Sequence, residues 1–154
     1  MILFYDLSLK FKKSPDSLTV TAVISIDSKP KRPHAIKTGK GLRKLYNSQV
    51  INVQRFKRPL AGILGKFGIK HSGVVVTTKS GKKWLIHKGR GFGSSSNNVV
   101  VDAKYMSNKW KATTKKLPVK PGTNIGMFVK KGGKYYNVFI NNCHHASSRM
   151  CKLG

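Results

Sequence analysis

Apolar and polar positions alternate along most of this chain with the two-residue period of half-buried strands. Residues 2–11 alternate from Tyr5 onward, placing Leu7, Leu9 and Phe11 on one face, and residues 17–26 place Leu18, Val20, Ala22, Ile24 and Ile26 together. The intervening Lys12-Lys13-Ser14-Pro15-Asp16 is turn chemistry, so the pattern predicts an N-terminal β-hairpin. Gln49–Phe56 reads as a strand, Val99–Val101 as a shorter one. His71–Val76 and Trp84–Gly89 read as two strands joined by a Gly-centred hairpin through Thr77–Lys83. Asn124–Lys130 and Lys134–Ile140 are expected to pair through Lys131-Gly132-Gly133.

The period changes at the end of the chain. Asn141-Asn142 suits a helix N-cap, because an asparagine side-chain oxygen accepts from unpaired N–H groups of the first turn. Cys143 then opens a helix on which Cys143, Ala146, Ser147, Met150 and Cys151 share one face, with Gly154 as a stop.

The remaining segments read as connections. Asp27–Gly41 is a basic loop rich in Pro and Gly, either an arm for phosphates or a solvated linker. Leu42–Asn47 is at most a helical turn. Arg55–Lys70 mixes basic residues with Phe56, Leu60, Ile63, Leu64 and Phe67, as either an amphipathic surface segment or a glycine-broken loop with buried apolar anchors. Gly89–Ser96 is a flexible connection without the strand-to-helix context of a nucleotide loop. Asp102 is a turn or helix cap, and Lys111–Lys120 is a loop.

Composition adds one strong constraint. The chain has 154 residues, enough for one compact domain with a buried core, and its 39% apolar content with frequent strand-like runs is not a disorder signature. Thirty-one Lys and Arg face four acids, a net charge of +27. Self-repulsion on that scale implies an anionic partner, either a lipid surface or nucleic acid. Lys29, Lys31, Arg32, Arg55, Lys57, Arg58, Lys66 and Lys70 are the candidate contacts. The two cysteines lie eight positions apart on one expected helix and cannot bridge without breaking it, so no disulfide framework is expected. No signal-peptide pattern and no apolar run of transmembrane length is found, and the expectation is an intracellular protein, soluble or peripherally membrane-bound.

Candidate chemistry centres on Cys143, because the helix dipole at a first turn favours negative charge and the thiolate is the reactive form of cysteine. Antiparallel pairing of the two histidine strands brings His71 and His87 together. A thiol on a helix start beside two neighbouring histidines outlines a nucleophile, a base and an orienting group. A zinc site from His71, His87, Cys143 and His144 or His145 is the metal alternative, and it is disfavoured because adjacent histidines on a helix point apart.

These residues carry a family resemblance. His-Ser-Gly-Val-Val-Val at 71–76, His87 in Leu-Ile-His-Lys-Gly, and Tyr-Asn-Val-Phe-Ile-Asn-Asn-Cys-His-His-Ala at 136–146 resemble the circularly permuted papain-like superfamily. Its relatives include the lecithin:retinol acyltransferase-like H-box/NC-box proteins and the PPPDE peptidases, all related to NlpC/P60 hydrolases. The resemblance spans roughly Gln49 to the C-terminus. It implies an α+β fold in which an antiparallel sheet packs on a C-terminal helix carrying the nucleophile at its N-terminus. The N-terminal hairpin is an addition, giving an appendage at 1–45 and a catalytic domain at 46–154. The resemblance further implies Cys143 as nucleophile, His71 as base and His87 as orienting residue, with Asn142 and His144 supporting the oxyanion site and no cofactor. His144-His145-Ala146 departs from the family's usual Glu or Asn followed by His-Phe, which leaves the substrate class open. The implied activity is a thiol-dependent hydrolase or acyltransferase working through an acyl-enzyme intermediate, with a phospholipid-like acyl substrate favoured. The alternatives are a PPPDE-type peptidase or isopeptidase and a non-catalytic nucleic-acid-binding protein on the same fold.

Overall fold

The computed structural model describes residues 9–11, 20–22, 38–60, 63–88, 98–137 and 139–154. Strands β1 (Leu9–Phe11) and β2 (Val20–Ala22) pair antiparallel with Leu9 opposite Ala22. That pairing is the centre of the hairpin expected from the alternation; the remainder of that hairpin lies outside the described residues.

Six further strands form the main sheet: β3 (Val50–Pro59), β4 (Lys70–Thr78), β5 (Lys83–Lys88), β6 (Asn98–Asp102), β7 (Lys111–Ala112) and β8 (Leu117–Pro118). Their order is β6-β5-β4-β3-β7, with β8 also on β3, and every pairing is antiparallel. The β4–β5 turn closes through Thr78 N–H to Lys82 O at 2.8 Å, and Gly81 takes φ 81°, a left-handed conformation that glycine adopts without steric cost. The segment expected as a basic loop at Lys111–Lys120 instead supplies two short edge strands that cover β3.

Four helices accompany the sheet: α1 (Gly39–Tyr46), the single turn α2 (Ile63–Lys66), α3 (Ile125–Gly132) and α4 (Cys143–Cys151). Each long helix starts at a side-chain cap: Thr38 accepts from Gly41 N–H, Asn124 from Met127 N–H, and Asn142 from both His144 and His145 N–H. The α4 expectation holds, including its buried face of Cys143, Ala146, Ser147 and Met150.

Two further expectations are corrected. Leu42–Asn47 is no isolated turn: the helix starts at Gly39, and Leu42, Leu45 and Tyr46 are buried at helical spacing. Asn124–Lys130 is not a strand, and Lys134–Ile140 is not its partner. Ile125, Phe128, Val129 and Gly132 recur at i, i+3, i+4 and i+7, which puts them all against the sheet only if the segment is helical.

The sheet separates two apolar layers. On one face Val53, Val74, Val76, Ile86 and Val100 pack against Leu42, Leu45, Tyr46, Ile125, Phe128, Ala146 and Met150 of α1, α3 and α4. On the other, Val75, Leu85, Val99 and Val101 pack with Trp110. Alternation along β4 therefore sends Ser72, Val74 and Val76 to the helices and His71, Gly73 and Val75 to the Trp110 side. An α+β architecture results, an antiparallel sheet packed on C-terminal helices with Cys143 at the N-terminus of α4.

The end of α3 is held without acids. Arg149 donates to the carbonyls of Lys131 (2.9 Å) and Gly132 (2.8 Å), while Lys88 Nζ (2.7 Å) and Asn98 Nδ2 (2.8 Å) donate to that of Gly133. Lys88 is fully buried, and burial, then Arg149, lower its pKa from 10.5 to about 8. Among the described residues no helix is long and apolar enough to cross a membrane.

Candidate active site

Asn142 sets the first turn of α4, and with it the cysteine. Its side-chain oxygen takes the N–H groups of His144 (2.9 Å) and His145 (3.2 Å) and also meets the His145 ring at 2.9 Å. The Cys143 side chain, 7% exposed, then lies where the backbone N–H groups of Ser72, Cys143 and His144 favour a negative charge on its sulfur. A buried hydroxyl pair keeps α4 on β4: Ser72 Oγ and Ser147 Oγ are 2.7 Å apart. Arg55 closes the arrangement by donating to Ser72 Oγ (3.2 Å) and to the His144 carbonyl (3.2 Å). Burial raises the Cys143 thiol pKa, and the three N–H groups and the Arg55 charge oppose that rise without cancelling it. The thiolate-favouring effect expected of the helix start is present, but desolvation outweighs it.

On the other face of the sheet His71 Nε2 and His87 Nδ1 are 3.0 Å apart, with the rings nearly perpendicular. Trp110 packs on both, with ring centroids 5.5 Å from His71 and 5.9 Å from His87, and the Arg58 guanidinium stands 5.3 Å from the Trp110 ring. The pair is buried, His71 at 7% and His87 at 3% exposure. Burial first, then Arg58 and His144, lower the His71 pKa from 6.5 to about 4. Burial, then His71 and Arg58, hold His87 well below its ordinary value. Both imidazoles are therefore neutral at neutral pH. Gly73 makes room for the second one: a Cβ there would lie 2.9 Å from the His87 Cβ and from the Ile86 carbonyl oxygen.

The two halves meet where β4 and β5 part. Their ladder stops at Gly73 opposite His87, although β5 continues alongside β6 to Lys88 opposite Asn98. Cys143 lies near Ser72 at this fork, and the peptide joining His71 to Ser72 belongs to both halves. Its N–H acts electrostatically on the sulfur, and the ring of His71 stands on the far side against Trp110. Among the described residues no hydrogen bond joins the sulfur to the His71 ring.

The other candidate residues are distributed as follows. His144 turns its ring to the Lys70 carbonyl, Nε2 to O 2.9 Å. Lys29, Lys31 and Arg32 lie outside the described residues. Arg55 and Arg58 turn inward rather than to an anionic surface, Lys57 is half-buried, and Lys66 and Lys70 are exposed. Among the described residues no three of His, Cys, Asp and Glu stand together as a metal site. Sequence reasoning assigns Ser72, Ser147 and Trp110 no role at the site, and assigns Arg58 to an anionic surface rather than to the histidine pair. Ser147 had a signal in its place on the cysteine's own helix face, whereas the other three depend on sheet register.

No family model matches the chain, and no solved structure matches it. Over 86 residues, covering 56% of this chain and 71% of the relative, it is 35% identical to the uncharacterized protein R800 of Acanthamoeba polyphaga mimivirus. At that identity and coverage, the chain belongs to the same family as this mimivirus protein.

Proposed function

We propose that the chain is a thiol-dependent hydrolase or acyltransferase in which Cys143 forms an acyl-enzyme intermediate with an ester or thioester substrate. The observation that carries this reading is the fork: a cysteine at a helix start, its helix pinned to β4 through Ser72 and Ser147, beside a histidine whose ring is already held by a second histidine. For His71 to act as base its Nδ1 must be unprotonated, so Nε2 carries the proton and donates to His87 Nδ1. His87 thereby orients the ring and fixes its tautomer.

The resting site is a neutral thiol beside a neutral imidazole, not an ion pair. As the sulfur attacks the acyl carbon, the S–C bond forms and the thiol proton passes to His71 Nδ1. The N–H groups at the helix start stabilise the developing oxyanion. Collapse expels the alcohol or thiol, which takes the proton back from His71. Water or another nucleophile, activated by the same imidazole, then releases the acyl group. In the resting structure the His71 ring lies on the far side of β4 from the sulfur, so the dyad closes only when substrate brings the two within reach, with Nε2 still held by His87.

Intact-mass spectrometry after brief exposure to a short-chain acyl thioester tests this. The expected result is a single acyl adduct mapped to Cys143, absent in Cys143→Ala, retained in Cys151→Ala, and formed at least about a hundredfold more slowly in His71→Gln. An adduct rate indifferent to His71→Gln, or acylation of Cys151 at the same rate, refutes the assignment. A peptide amide offered in parallel separates the acyl-ester reading from a peptidase.

A further inference from the structure

Two exposed apolar turns flank the fork, and neither is used by the chemistry above. The first links β3 to β4. Instead of burying its apolar residues as anchors, it exposes Ile63 (70%), Leu64 (52%) and Phe67 (79%). The second precedes α4 and exposes Phe139 (86%) and Ile140 (75%). One turn leads into His71 and the other into Cys143, and the His144–Lys70 hydrogen bond ties their bases together.

Both turns are built rather than loose. Leu60 N–H bonds Ile69 O at 2.9 Å, and Gly68, with φ 79°, reverses the first. In the second, Asn137 and Asn141 exchange backbone bonds of 3.1 and 3.0 Å, and the Asn137 side chain accepts from the N–H groups of Phe139 and Ile140. Arg149 holds Asn141 from behind at 2.6 Å. Large apolar side chains fixed outward on convex, hydrogen-bonded turns lose solvation free energy in water unless something covers them.

Charge identifies the cover. Exposed Lys66, Lys70 and Lys134 stand on or beside the two turns, and Lys57 neighbours His144. Asp102 is the one acid among the described residues. It pairs with Trp84, at the opposite end of the sheet from the fork. A second copy of this chain would bring +27 against +27. Nucleic acid would satisfy the lysines and leave Phe67 and Phe139 in water. An anionic bilayer satisfies both, taking the lysines at its headgroups and the apolar knobs at the acyl boundary.

We propose that the 63–69 turn and the turn carrying Tyr135, Phe139 and Ile140 form a membrane-docking surface that seats the fork against an anionic lipid bilayer. This goes beyond the catalytic reading and does not need it. Vesicles of ether-linked phosphatidylserine and phosphatidylcholine, which an acyl-transfer enzyme cannot cleave, make the test independent of turnover. The wild-type chain should bind them and bind phosphatidylcholine-only vesicles far more weakly, since each well-placed lysine contributes roughly fivefold. The double variant Phe67→Ser/Phe139→Ser should lose at least about tenfold in affinity with an unchanged circular dichroism spectrum, since each aromatic ring buried contributes about that much. The emission of Phe139→Trp should shift to the blue on vesicle addition. Undiminished binding by the double variant, an unshifted emission, or displacement of the chain from the vesicles by duplex DNA overturns the proposal.

Discussion

Acidification should destabilise this fold chiefly through its buried histidine pair. In the unfolded chain His71 titrates near 6.5, whereas in the fold burial, Arg58 and His144 bring it to about 4. Between those values the unfolded state binds a proton that the folded state refuses. No penalty exists above about 6.5; it grows as the pH falls and is complete near 4. At 1.36 kcal/mol per pKa unit, His71 alone accounts for a loss of about 3 kcal/mol. His87, held down by burial, His71 and Arg58, adds in the same direction. The usual source of acid denaturation is nearly missing, because the chain has four acids. Lys88 does not intrude: its pKa of about 8 leaves it protonated in both states throughout this range. Urea unfolding at a series of pH values, followed by circular dichroism and by Trp84 and Trp110 fluorescence, measures the effect. The expected result is a midpoint that falls steadily from pH about 7 to about 4 at constant slope m, with a distinctly shallower fall in His71→Gln. A flat profile over this range, or equal falls in the two proteins, would refute the claim that these imidazoles are buried and neutral.

Other outcomes follow from the same geometry. Alkylation of Cys143 by iodoacetamide should accelerate with pH through neutrality and beyond the ordinary thiol value of about 8.5, because burial raises this thiol; a rate plateau below pH 7 would show an ion pair instead. Gly73→Ala should cost about 1–3 kcal/mol of stability and slow acylation, since the new Cβ pushes on His87, and unchanged acylation kinetics would contradict that contact. Ser72→Ala and Ser147→Ala should each cost about 1 kcal/mol, with the double variant costing less than their sum, because both changes break the same buried hydroxyl contact and leave the remaining hydroxyl its bond to Arg55 or to the His144 carbonyl. A double-mutant cycle of unfolding free energies checks the non-additivity.

The parts of this fold legible in the sequence are those encoded locally. Two asparagines ahead of a cysteine announce the start of α4, and strict alternation around Gly81 announces the β4–β5 hairpin and the proximity of His71 and His87. Helix α3 was misread because Gly126, Gly132 and the β-branched Ile125 and Val129 weaken helix propensity, while the apolar run before Cys143 mimics a strand. The Asn124 cap and the i, i+3, i+4, i+7 spacing were the signals that outweigh them. Counting charges could not reveal that Arg55 and Arg58 point inward, because that depends on strand register: Arg58 sits opposite His71, and Arg55 opposite Val74. Trp110 is placed over the histidines by the chain's return beyond β6, which no local pattern encodes.

The grip of Arg149, Lys88 and Asn98 on the last carbonyls of α3 shows how a chain with so few carboxylates keeps cations inside itself. The C-terminal end of a helix carries the equivalent of about half a negative charge, spread over carbonyls that cannot be protonated in the physiological range. Here peptide groups serve as internal counter-ions, so every acidic side chain is dispensable to this part of the core. The surface is thereby free to be almost uniformly basic, and the anchoring of α3 to α4 and β5 stays indifferent to the acidity that puts charge on the buried histidines.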